Sequence, residues 1–162
     1  MVVVDSSALI PLSWVGRLGL VETTFETVRT TDAVRDEVLV EGKPGTASLQ
    51  HFLKGVEVVE TPPQSEEVAT LEGIAVADAS VILMAADDEA ILLGNDMALI
   101  EVARSHGVEC WWVTTLLLHG AKSGALSATE AVDILYDLVD AGMNLDPNVY
   151  AQVQRKLQEL GD

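Results

Sequence analysis

Three β-branched residues, Val2, Val3 and Val4, run without a break into Asp5, and this junction constrains the fold more than any other stretch. A run apolar on both faces suits a short strand covered on both sides, as in a parallel sheet. The carboxylate that ends it is costly to desolvate unless something positive pairs with it. The nearest basic residue in sequence is Arg17. An acid at the carboxyl end of a central strand, with no cation nearby, therefore asks for a metal ion or for other carboxylates sharing one. Open parallel sheets hold their ligands at that end of their strands.

Downstream, short apolar runs alternate with helical patterns. Further strands are expected at 28–30, 56–60, 90–93 and 108–113. Helices are expected at 7–15, carrying Pro11, and at 18–27, 33–40, 47–53, 66–72, 76–86 and 97–105, then in the tail at 114–122, 127–141 and 147–160. Gly42 to Gly45 and Thr61 to Pro63 are turns, while Gly73 and Gly107 stop helices. Thr31 or Asp32 can cap one helix, Ser127 with Glu130 forms a capping box, and Asp146 precedes a proline at the first helical position. Val149, Val153, Leu157 and Leu160 line one face of the last helix. Strands separated by helices predict an α/β fold, a three-layer α/β/α sandwich around a short, mostly parallel central sheet. No linker, repeat or low-complexity stretch divides the 162 residues, so one domain is expected, with a core over 1–113 and a helical extension over 114–162.

Hydrophobic residues make up 49% of the chain, too many for a disordered protein. The apolar runs are too short to cross a bilayer. The amino terminus has no positive n-region, and Cys110 has no partner for an internal disulfide, which together predict a soluble, cytoplasmic protein. Charge is the unusual feature: 26 acidic residues against nine Lys and Arg, a formal net charge of −17. That balance opposes the basic footprint of an ordinary nucleic-acid binder. It is compatible with one in a salt-rich cytoplasm, where the Debye length shrinks to about 3 Å at 1 M salt. The acids are scattered along the whole chain rather than gathered in a tail, so a halophilic source is expected.

Four acids interrupt apolar patterns where a neutral residue would be easier: Asp5, Glu37 after Val34, Asp78 in the most apolar helix, and Asp96 after a buried strand. Converging carboxylates raise one another's pKa values, and a hard cation such as Mg²⁺ or Mn²⁺ would hold them ionised. Each also has a plain structural reading. Asp96 is placed to cap a helix, and Glu37 to face solvent on an amphipathic one. Buried unpaired carboxylates are rare, which leaves Asp78 and above all Asp5 as the stronger functional candidates. Other chemistries find little support. His51, His106 and His119 lack metal-ligand spacing, and one cysteine builds no zinc site. No Gly-x-Ser-x-Gly elbow or Gly-x-Gly-x-x-Gly fingerprint exists, and the segment Gly120 to Ser123 lacks the glycine and Gly-Lys pair of a phosphate loop. Ser7 stands where a haloacid-dehalogenase phosphatase would carry its second Asp. Trp111 and Trp112 are candidates for base stacking, for core or for a dimer interface.

The motifs Val4-Asp5-Ser6-Ser7-Ala8-Leu9-Ile10, Ala33-Val34-Arg35-Asp36-Glu37-Val38, Ala77-Asp78-Ala79-Ser80-Val81-Ile82-Leu83 and Leu92-Leu93-Gly94-Asn95-Asp96-Met97 occur in the order and at the approximate distances of a PIN domain, which the chain resembles from Val2 to about Val113. The tail from Thr115 is similar to a VapC-like branch of that family. The resemblance implies a metal-dependent ribonuclease fold, with Asp5 and Asp78 as central ligands of Mg²⁺ or Mn²⁺ and Glu37 and Asp96 completing one or two sites. It implies water attack in line on an RNA phosphodiester, with Ser6 or Ser7 supporting a ligand carboxylate or the phosphate. Arg17, Arg35, Arg104 and Lys122 are the basic residues available to position RNA. A toxin–antitoxin role implies an antitoxin protein as partner. A homodimer is expected on apolar helices such as 8–12 and the C-terminal stripe. The family often carries Ser or Thr two residues before its last Asp, where this chain has Gly94. Two other functions stay open: a catalytically weak PIN-like module that binds RNA or protein, and a metal-dependent phosphatase for a small molecule.

Overall fold

A computed structural model describes residues 1–161; Asp162, the last residue of the expected domain, lies outside them. β1 (Val2–Val4) leads into α1 (Ser6–Trp14) and α2 (Gly19–Thr24), and β2 (Val28–Thr31) into α3 (Asp32–Val38) and α4 (Thr46–Lys54). β3 (Glu57–Val59) is followed by α5 (Ser65–Glu72) and α6 (Val76–Asp88), and β4 (Ile91–Leu93) by α7 (Met97–Ser105). β5 (Cys110–Trp111) opens the helical tail of α8 (Val113–Ser123), α9 (Ala128–Asp140) and α10 (Pro147–Leu160).

All strands pair in parallel, in the order β3-β2-β1-β4-β5. β1 is central, with Val3 opposite Arg29 on one side and Leu92 on the other. Val2, Val3, Val4, Leu92 and Leu93 are fully buried, as a sheet covered by helices on both faces requires. The chain winds outward from β1 to β3, then returns to lay β4 against β1. This reversal makes the crevice beyond the carboxyl ends of β1 and β4 the topological switch point, where open α/β sheets bind ligands.

Three local outcomes differ from the sequence pattern. Most of the expected surface over 8–12 is core: Ala8, Leu9 and Leu12 are fully buried within the single chain, while Ile10 stays partly exposed. The last strand shrinks to two residues, because β4 offers only Leu92 and Leu93 as partners and Val113 already belongs to α8. α2 ends at Thr24, where Phe25 turns extended towards β2. In α10, Val153 and Leu157 are buried, while Val149 and Leu160 at the ends of the stripe stay exposed. Among the described residues, no single helix is long and apolar enough to cross a membrane.

Candidate metal centre

Asp5 caps α1 at the point where β1 ends. Its Oδ2 accepts the Ser7 N–H at 3.0 Å and the Ser7 hydroxyl at 2.6 Å. Its Oδ1 is buried and has no hydrogen-bond partner among the described residues, in a residue only 1% exposed. Burial pushes the carboxyl pKa up, partly offset by Ser7 and helped by the nearby charge of Glu37. Ser6 is buried beside it, and its backbone N–H favours the carboxylate.

Ser7 also reaches across the switch point, its Oγ accepting the Asn95 N–H at 2.8 Å. The Asn95 side-chain amide donates to the Asn144 carbonyl at 3.3 Å, so the β4–α7 connection is tied both to α1 and to the α9–α10 connection. Gly94 sits where two side chains approach closely. A Cβ there would lie 2.9 Å from Leu99 Cδ2 and 3.4 Å from Ser7 Oγ. The space that a side chain at 94 would need is already held by Leu99 and the Ser7 hydroxyl.

The other three acids come from different elements. Asp78 lies in the first turn of α6, half-buried, and its carboxyl pKa is raised to about 7. Desolvation is the main cause, followed by the charges of Asp5, Glu37 and Asp96. The four carboxylates therefore share one electrostatic neighbourhood at the carboxyl edge of the sheet. Glu37, near the end of α3, is exposed. Asp96 is exposed too and caps α7, its Oδ1 accepting the Ala98 N–H at 2.9 Å. The capping role and the convergence hold together.

A buried hydroxyl pair that sequence reading missed locks α3 to α6. Thr31 Oγ1 and Ser80 Oγ lie 2.8 Å apart, both residues fully buried. The Thr31 hydroxyl accepts the Val34 N–H at 3.3 Å to cap α3, and the Ser80 hydroxyl donates to the Ala77 carbonyl at 2.6 Å. Thr31 is thus left to donate to Ser80. This bond sets the helix carrying Glu37 against the helix carrying Asp78. A lone Ser in an apolar helix, with a Thr pair ending a strand, was the available signal.

These residues fit a hard divalent cation by donor chemistry, since all four offer carboxylate oxygen. The unpartnered Oδ1 of Asp5 adds a buried acceptor that asks for positive charge. Among the described residues, no three His, Cys, Asp or Glu side chains stand in a preformed metal-holding arrangement. The fit therefore rests on the donor set and the orphaned oxygen rather than on a closed cage.

Of the basic candidates, Arg35 lies in α3 two residues before Glu37 and pairs with Asp36, and Arg17 pairs with Glu130. α7 is capped by Asp96 and carries Arg104 in its last turn, where its charge acts on Cys110. Arg104 lies eight residues beyond Asp96, about 12 Å along the helix. Lys122 lies in the last turn of α8 and is exposed. Trp111 packs on Phe25 and on His119, each at 5.2 Å between centroids, and His106 pairs with Glu72 at 3.2 Å.

Residues 1–159 match the family model described as PIN domain. Among solved structures, the crystal structure of PAE2754 from Pyrobaculum aerophilum is similar in fold, with 22% identity and a TM-score of 0.55 over 75% of this chain and 95% of that one. No curated protein matches the chain.

Proposed function

The chain belongs to the PIN-domain family, and from that premise we propose that it is a Mg²⁺- or Mn²⁺-dependent endoribonuclease that hydrolyses RNA phosphodiester bonds. Nuclease chemistry is the general activity of that family. The observation that carries the reading is the Asp5 carboxylate, buried at the switch point with one oxygen held by Ser7 and the other unpartnered. Asp5 and Asp78 are assigned as the principal ligands, with Glu37 and Asp96 completing the set. When bound, the cation supplies Lewis-acid stabilisation of the developing phosphate charge and acidifies water for attack. The chain contributes position. Ser7 engages one Asp5 oxygen and leaves the other to the ligand, while the Thr31–Ser80 bond keeps Glu37 and Asp78 facing the same crevice.

The finer reading is a toxin of a toxin–antitoxin pair, cytoplasmic, homodimeric and partnered by an antitoxin. Its support is the similarity of the tail to the VapC-like branch; RNA processing is the other role open to the same site. A second reading, a catalytically weak module that binds RNA or protein, is favoured by Gly94 and by the charge of −17.

The test compares the wild type with Asp5→Asn on labelled tRNA and rRNA fragments in high KCl, with Mg²⁺, Mn²⁺ or EDTA. Cleavage that needs the metal and falls to background in Asp5→Asn is expected. Two folded, inert proteins with no calorimetric metal binding would remove the nuclease reading in favour of the binding module.

A further inference from the structure

A groove of about 650 Å³ opens beside Glu37, which lies in its wall together with Ile10, Trp14, Val40, Lys43 and Leu49. Trp14, the last residue of α1, is 39% exposed. Gly142 lies alongside it: a Cβ there would stand 3.7 Å from the ring at Cζ3. Apart from Glu37, the only charged residue in the wall among the described residues is Lys43, one of nine Lys and Arg in a chain of net charge −17.

We propose that this groove is a nucleotide subsite that takes one unpaired base of single-stranded RNA next to the cleaved phosphodiester. The Trp14 indole provides the stacking face, and Lys43 meets the adjacent phosphate. The inference rests on the nuclease reading, because Glu37 belongs to both the groove and the carboxylate set. Three observations carry it. The groove is continuous with the acidic centre through Glu37, so a chain threaded past that centre enters the groove at once. Its lining joins the aliphatic Ile10, Val40 and Leu49 to one partly open aromatic ring, which suits the flat face of a base. Its lysine offers a contact to the adjacent phosphate.

The experiment measures fluorescence anisotropy of a labelled oligouridylate, and of the same oligomer carrying abasic positions, with Ca²⁺ in place of Mg²⁺. Proteins are the wild type, Trp14→Ala, Trp14→Phe and Lys43→Ala, each checked for folding by circular dichroism. Cleavage kinetics in Mg²⁺ and sedimentation velocity accompany it. Trp14→Ala is expected to raise Kd and KM about tenfold, the size of one base–aromatic stack, with kcat within about twofold. Trp14→Phe retains most of the affinity. The abasic oligomer shows the same loss on the wild type and no further loss on Trp14→Ala. Equal binding of the two oligomers by the wild type, or wild-type affinity in Trp14→Ala, overturns the proposal. So does a Trp14→Ala protein whose oligomeric state changes while its RNA affinity does not, since the groove would then be a protein-binding face. The two readings fail separately: an abasic penalty without cleavage keeps the subsite and removes the nuclease, and cleavage without that penalty does the reverse.

Discussion

Asp78 shows how a single carboxylate can report on the whole site. Its pKa is raised from 3.8 to about 7, by burial first and then by Asp5, Glu37 and Asp96. A raised carboxyl pKa means that the folded protein keeps a proton the unfolded chain has already released. Stability from this group is therefore greatest at low pH, falls as pH rises from about 4 to about 7, and levels off above. In EDTA, the Tm measured by scanning calorimetry is expected to decline across that window, Asp78→Asn to flatten the decline, and Mg²⁺ at pH 7 to restore stability. An unchanged slope in Asp78→Asn would show that this carboxyl does not titrate in that window. At this scale the sequence marked Asp5 and Asp78 as acids out of place among apolar neighbours. The resemblance marked Ser7 as a supporting hydroxyl and Gly94 as a departure, while the bond from Asn95 to Ser7 and the crowding at Gly94 depend on β4 lying against β1.

Elements are held in register by bonds between segments far apart in the chain. The Thr31–Ser80 pair joins residues 49 positions apart and caps α3 at the same time. Thr31→Val removes both functions and leaves the Ser80 hydroxyl without its buried partner. We expect a loss of about 1–3 kcal/mol in urea unfolding, with weaker Mg²⁺ binding because Glu37 and Asp78 are no longer set against each other. Ser80→Ala keeps the cap and costs less; the opposite order of the two variants would refute this account. Element boundaries followed local signals closely, since caps, glycine stops and apolar period act over a few residues. The end of α2 and the last strand are exceptions. The strand's apolar run continues into α8, and its pairing with β4 stops at Trp111 opposite Leu93.

The molecule as a whole is distinguished by its charge of −17. Self-repulsion on this scale opposes compaction in dilute buffer and is screened as the Debye length falls from about 10 Å at 0.1 M to about 3 Å at 1 M salt. The Tm is expected to rise by several degrees between those KCl concentrations, and more than in sucrose of equal osmolarity. No rise, or an equal rise in sucrose, would remove charge screening and the halophilic expectation with it. The sequence by itself determined the alternation of strands and helices, the capping of α3, α7, α9 and α10, and the acid that ends the first strand. Each depends on neighbours along the chain. Tertiary structure alone decided the strand order, the reversal beside β1, the burial of α1, and the meeting of residues 5, 37, 78 and 96 with a groove at their side. These are relations between distant segments, and they exist only once burial of a common core has brought the segments together.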